Sequence, residues 1–330
     1  MTTAPATRPA CPDVAATGGN ARPVVLPALL LLGVAGLAGC AASALTATGS
    51  PGATASAEGI APCPPGLSVM QGWDLRAPPR HIHGNTWYVG TCGLTALLIT
   101  TDQGHVLIDG ASAAAGPLIA ANIRALGFDP AQVRYLLNSH EHHDHAGGLA
   151  HLQQATGAPL LARQPAVAAL RRGHGDRSDP QQLEPGSGFA PIAQVQAIAD
   201  DHVLRVGGLA ISVHATPGHT PGGTSFSWRS CQHGQCLSIA YTDSVSAISD
   251  DLYRYDQHPQ AVRDFRAGLQ TLAALPCDLH LTPHPLGSGL FARLDGSAPL
   301  LEAGACQRYA QAGQRGLAQR LQDEAAGRKP

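Results

Sequence analysis

From about residue 66 the chain alternates short apolar runs with turn residues and amphipathic stretches. Runs rich in leucine and β-branched residues at 86–90, 95–100, 105–109 and 133–138 are too short for helices and predict strands. The segment 117–126 (PLIAANIRAL) repeats its apolar residues at helical spacing, and 149–156 and 165–171 do the same. A second group of strands is expected at 194–199, 202–206, 210–215 and 237–242. A long amphipathic helix over 259–274, a short strand at 278–282 and a C-terminal helix over roughly 300–322 complete the pattern. Strands open each half and helices follow, which predicts an α/β or α+β class.

The pattern breaks down before residue 66. Residues 21–40 read ARPVVLPALLLLGVAGLAGC, an apolar stretch after a single Arg22 that is short and glycine-interrupted for a membrane-spanning helix. It ends in Leu37-Ala38-Gly39-Cys40, which resembles the lipobox of bacterial lipoproteins. That resemblance implies cleavage before Cys40 and acylation of its sulfur, with Ala41 directing the product to the outer membrane. The alternative is an ordinary signal peptide cut later, for example after Ala42-Ser43-Ala44. Residues 41–65 are mostly Ala, Thr, Ser, Gly and Pro, which bury little apolar area and read as a flexible tether. The expected organisation is a lipoprotein-type signal segment at 1–40, a tether at 41–65 and a single domain at 66–330, exported to the periplasm.

Composition narrows the partners. Hydrophobic residues make up 44% of the 330, charged residues 13%, and the formal net charge is −2 with no basic run. Nucleic acid and anionic membrane surfaces are therefore excluded as main partners, and membrane contact is expected only through a lipid at Cys40. Six cysteines follow the leader: Cys63, Cys92, Cys231, Cys236, Cys277 and Cys306. An even set in an exported chain suggests three disulfides among 15 possible pairings. Cys231 and Cys236 flank a hairpin-like loop that could close on itself. No CxxC spacing supports a metal-binding role.

Sixteen histidines matter through their placement. The segment His140-Glu141-His142-His143-Asp144-His145-Ala146-Gly147-Gly148 follows a predicted strand and precedes a predicted helix. It therefore lies at a strand's carboxyl end, where α/β sheets place their sites. Imidazole nitrogen and carboxylate oxygen are good zinc ligands. Alternate side chains of an extended turn point the same way, so His140 and His142 can share one ion. Asp144 and His145, past the bend, can reach another.

H-x-H-x-D-H in this setting resembles the signature of the metallo-β-lactamase superfamily. Two further loops extend the likeness: Thr216-Pro217-Gly218-His219-Thr220-Pro221-Gly222-Gly223 and Leu281-Thr282-Pro283-His284-Pro285. Stretches 84–91, 106–111 and 241–246 (YTDSVS) resemble the third, histidine-rich subclass of its β-lactamases. The resemblance covers roughly residues 69 to 306. It implies an αβ/βα four-layer sandwich, two Zn2+ ions and hydrolysis of β-lactam antibiotics, conferring resistance. His140, His142 and His219 would bind the first ion, and Asp144, His145 and His284 the second. Asp144, His140 and His142 are the expected catalytic residues, Asp144 orienting a metal-bound hydroxide that attacks the lactam carbonyl. Ser244 and Ser246 would bind the substrate carboxylate, and Asp109 would orient ligands without binding metal. A disulfide that Cys277 and Cys306 can make is also implied, with Cys231–Cys236 and Cys63–Cys92 as further expected pairs.

Thioester and lactone hydrolases of the same superfamily are the alternative. They carry a metal-bridging Asp in a Gly-Asp motif, to which Asp243 would correspond, although Thr242 stands where the Gly would be. A serine mechanism lacks its S-x-x-K, S-D-N and K-T-G motifs. The remaining histidines carry less. His174 is expected in a solvated loop (171–188), His81 and His83 at the surface, and His280 packed on the far side of its strand from His284. Trp73, Trp87 and Trp228 are expected in the core.

Overall fold

A computed structural model describes residues 59–328. The leader at 1–40, with Cys11 and Cys40, and the tether as far as residue 58 lie outside the described residues. Seven strands form the first sheet in chain order: β1 (Arg80–His83), β2 (Thr86–Tyr88), β3 (Leu97–Ile99), β4 (His105–Ile108), β5 (Val133–Leu137), β6 (Leu160–Arg163) and β7 (Val195–Ile198). The first four pair antiparallel; β4 to β7 run parallel and need helical crossovers. These are α1 (Ala115–Ala125), the single turn α2 (His143–Ala146) with α3 (Leu149–Thr156), and α4 (Gln164–Arg172).

The second sheet holds β8 (Val203–Val206), β9 (Leu209–Ala215), β10 (Thr224–Gln232), β11 (Gln235–Tyr241) and β12 (Leu279–Leu281), in the order β12-β11-β10-β9-β8. Helix α5 (Pro259–Ala273) links β11 to its parallel neighbour β12. The short α6 (Leu290–Leu294) and the long α7 (Ala305–Ala325) follow.

Period-two side-chain alternation explains the layering. In β3 and β4, Leu98 and Leu107 face α1 and α3, while Leu97, Ile99, Val106 and Ile108 face the other sheet. Leu209, Ile211 and Val213 of β9 meet them from the second sheet, with Phe226 and Trp228 of β10. A third cluster joins Val262, Phe265 and Leu269 of α5 to Ala310 and Leu317 of α7, beside Tyr253 and Tyr255. The result is the αβ/βα sandwich.

Three strands, β1, β6 and β10, lie outside the sequence expectation. In β1, His83 is buried, contrary to the surface role expected of it; His81 packs its ring on Trp87. In β10, the inward pair Phe226 and Trp228 is separated by Ser227 in a run rich in serine, which weakens the apolar signal. The pairs Cys63–Cys92, Cys231–Cys236 and Cys277–Cys306 all stand at disulfide distance. The first fastens the chain at residue 63, two residues before the boundary given to the tether.

Candidate metal centre

The expected site residues all sit beyond carboxyl ends of strands that point to one edge of the sandwich. Asp109 follows β4, His140 follows β5, His219 follows β9, Asp243 follows β11 and His284 follows β12. The two sheets are tied there by backbone: Thr224 N–H donates to Ser139 O at 2.7 Å, and Thr95 N–H to Pro283 O at 2.7 Å. Gly148 allows the tight exit from the histidine loop, since a Cβ on it would stand 2.2 Å from Gly110 O. Gly218, at φ +153, faces the Phe265 ring so closely that a Cβ would fall 2.1 Å from it.

His140, His142 and His219 bring one donor atom each to within 4.8 Å of one another, as do His140, Asp144 and His145. Ring centroids of the first three are 4.8–5.0 Å apart. Asp144 Oδ2 lies 3.2 Å from His145 Nε2 and 3.4 Å from His284 Nε2, which joins His284 to the group. All six residues named from the motifs are thus brought together.

Each histidine of the first triad has its outer nitrogen engaged. His219 Nδ1 lies 3.0 Å from the carbonyl oxygen of Ser246 and 3.0 Å from its hydroxyl. A carbonyl only accepts, so the proton sits on Nδ1 and the Nε2 lone pair faces the triad. His142 reverses the polarity: its Nε2 is 3.1 Å from Asp179 Oδ1, leaving Nδ1 inward. His140 Nδ1 meets Asp243 Oδ1 at 2.8 Å, and its Nε2 is buried with no hydrogen-bond partner among the described residues. Asp243 belongs to neither donor group; it stands behind His140.

Around the second triad, Asp109 adopts φ 65°, rare for a non-glycine residue. Its carboxylate accepts from Ser139 N (2.6 Å), Ser139 Oγ (2.7 Å), Asn138 Nδ2 (3.1 Å) and Tyr241 Oη (2.5 Å). Its Oδ2 lies 3.6 Å from His145 Nδ1, behind the ring, where a ligand-orienting group belongs.

Burial, with the neighbouring His145 and His219, holds His140 well below the usual imidazole range, and burial with His142 lowers His219 to about 3. Neutral rings are what a metal requires. Burial alone would raise Asp144, but the adjacent His145 drives it well below the usual carboxylate range. His145 moves up to about 10 against its own burial, chiefly through Asp144. Burial raises Asp243 and also Glu141. Glu141 accepts from Thr220 Oγ1 and Gly222 N, both at 2.8 Å, and so braces the histidine loop against the His219 loop.

Three of these residues escaped sequence reasoning in whole or part: Asp179, Glu141 and Asp243 in its place behind His140. Trp73 also departs from expectation. It is half-buried, 5.8–5.9 Å from the rings of His143 and His284, and forms a wall of the site. Ser244 and Ser246 are half-buried, and Ser246 is already committed to the His219 ring.

A sandwich of this topology with two histidine-rich donor groups at its open edge defines a metal-dependent hydrolase fold, and the chain belongs to the metallo-beta-lactamase superfamily. The superfamily's model matches residues 89–232. MIM-1 from Novosphingobium pentaromativorans, a solved metallo-beta-lactamase, is 49% identical, with 80% of this chain and 96% of that one covered at a TM-score of 0.76. MEM-A1, a subclass B3 metallo-beta-lactamase from a soil metagenome library, is 40% identical over 78% of this chain and all of its own, at a TM-score of 0.74. The hydroxyacylglutathione hydrolase of Acidiphilium cryptum (strain JF-5) is also similar, 29% identical over 227 residues that make up 66% of this chain and 79% of that enzyme. For the hydroxyacylglutathione hydrolase of Anaeromyxobacter dehalogenans (strain 2CP-C), 35% identity extends over only 29% of the enzyme.

Proposed function

We propose that this protein hydrolyses the β-lactam ring of penicillins, cephalosporins and carbapenems with two zinc ions, and so confers resistance to them. The observation that carries the reading is the donor arrangement. His140, His142 and His219 each turn the ring nitrogen not held from outside towards the others, and Asp144 Oδ2 meets His145 and His284 beside them. The donors fit zinc: His140 Nε2 and His145 Nε2 are buried with no hydrogen-bond partner among the described residues, which is costly unless a cation takes them up. His140, His142 and His219 would hold one ion, and Asp144, His145 and His284 the other. Zinc so held supplies a water whose pKa falls from 15.7 to about 7 and polarises a carbonyl oxygen.

The chain's own residues do the rest. Asp144 lies in the donor group that shares His140 with the other, so its carboxylate can orient the attacking water. Ser244 and Ser246 offer hydroxyls to the carboxylate of a β-lactam, Ser246 while holding His219 in its tautomer. Trp73 shields the His284 flank from solvent and presents an apolar face to the substrate.

A thioester or lactone hydrolase is the other reading, favoured by the similarity to hydroxyacylglutathione hydrolases. It calls for Asp243 between the ions, whereas Asp243 is bonded to the outer nitrogen of His140. Turnover of a carbapenem and a chromogenic cephalosporin by the purified protein, abolished by a chelator and restored by zinc, is the expected result. Two bound zinc ions with turnover of thioesters or lactones alone would replace this reading with the second.

Export belongs to the same proposal. The Leu37–Cys40 lipobox and three cysteine pairs suited to an oxidising compartment support a periplasmic enzyme, lipid-anchored to the outer membrane through Cys40 with disulfides formed. Labelled fatty acid should be incorporated by the full chain and not by Cys40→Ser.

A further inference from the structure

Metal-binding histidines depend on what holds their second nitrogen, because that contact sets the tautomer and the aim of the ring. For His219 the partner is backbone carbonyl, and for His140 it is Asp243, both on the segment after β11. His142 is different. Its partner, Asp179, comes from the polar loop after α4, 37 residues away. We propose that Asp179 is a positioning residue for the first metal, and that it makes metal affinity depend on this loop. The inference rests on the zinc-site reading above.

The loop is built to present this one carboxylate. Asp179 is 4% exposed, in a segment whose neighbours at 176–178 are exposed. Its Oδ1 also accepts Gln181 N–H at 2.9 Å, closing a turn that fixes the side chain. Asp250 fastens the segment from outside. It donates its N–H to Pro180 O (2.8 Å) and accepts from Arg177 Nη1 (2.7 Å) and Leu183 N (3.1 Å). Burying a carboxylate is costly unless it is paired, and His142 Nε2 is the imidazole it meets. With Nε2 committed to donating, only Nδ1 of His142 remains for a metal, and the ring cannot flip without stranding Asp179.

The test is zinc affinity of the full chain by competition with a chromogenic chelator, together with the visible spectrum of the cobalt-substituted protein. Neither uses a substrate, so failure here is separate from failure of the β-lactam reading. Asp179→Ala should weaken one of the two sites about 10–100-fold and shift the cobalt bands. Asp179→Asn keeps an acceptor oxygen and should recover part of that loss. Arg177→Gln loosens the loop while leaving the carboxylate, and should cost less than Asp179→Ala. Wild-type affinity in Asp179→Ala would overturn the proposal. So would an equal loss in Arg177→Gln, which would make anchorage of the loop, not the carboxylate, responsible. If Asp179→Ala does not fold, Asp179→Ser, whose side chain is too short to hold the same contact with His142 Nε2, decides: affinity and cobalt bands like wild type refute the role.

Discussion

The two halves of the centre are supported in different ways. In the triad of His140, His142 and His219, every ring has its outer nitrogen bonded to an oxygen at 2.8–3.1 Å. In the triad of Asp144, His145 and His284, Asp109 stands 3.6 Å from His145, and His284 Nδ1 is buried with no partner among the described residues. The first triad is therefore oriented before any ion arrives. The second relies on the charge of Asp144 and on what an ion supplies. Pre-organised donors lose less rotamer freedom on binding, so the first site should fill first and empty last.

The largest test of that comparison removes a pre-oriented ligand. His140→Ala should lower kcat/KM for a carbapenem by about 10³-fold or more, equivalent to about 4 kcal/mol, because His140 reaches both donor groups. A loss below tenfold would mean that the first triad does not carry the chemistry.

Asp109 tests the weaker half through the fold. Its carboxylate satisfies four donors, so Asp109→Ala strands them and should cost about 3 kcal/mol of stability in urea unfolding. Asp109→Asn should cost less, since Asn tolerates the left-handed backbone and keeps an acceptor. Similar losses in the two variants would argue against hydrogen-bond satisfaction as the cause.

His284→Ala bears on filling order. It should weaken the second ion by at least about 100-fold, the upper end of what losing an outer-shell partner costs. The first ion should stay at close to one equivalent after dialysis. Loss of both ions together would show that the two halves do not differ as argued.

The same asymmetry decides what could be read from the sequence. Ligands clustered in H-x-H-x-D-H, and the His219 and His284 loops, are legible because each motif is local and its spacing carries the geometry. The contacts that orient those ligands are not local. Asp179 meets His142 across 37 residues, Asp243 meets His140 across 103, and Tyr241 meets Asp109 across 132. In sequence, Asp179 is one more acidic residue in a solvated loop; in the fold it is buried against His142, with Asp250 clamping the loop beside it. Asp243 was visible as an acid near the site, but its side of the metal depends on where β11 ends. The longer helices and most strands were legible from periodicity, whereas the short α2 and α6 were not. β10 shows the limit of that signal, where serines take several inward and outward positions alike.

The smallest effect concerns the strand that delivers His284. His280 of β12 is buried, with Nε2 2.8 Å from Thr242 Oγ1, and burial followed by Arg293 and Arg308 pushes it down to about 4. The unfolded chain binds the proton near pH 6.5, the folded chain only near 4. Its neutral form is therefore at no disadvantage above pH 6.5, and stability is lost as the pH falls from 6.5 towards 4. At pH 5 the loss from this residue is about 2 kcal/mol. His280→Gln keeps a polar partner for Thr242 and cannot be protonated. Urea unfolding of metal-free protein at pH 7 and pH 5 should therefore show a drop about 2 kcal/mol smaller in the variant. An equal drop in both would assign the acid sensitivity to the ligand histidines instead, and would leave β12 a passive carrier of the second site.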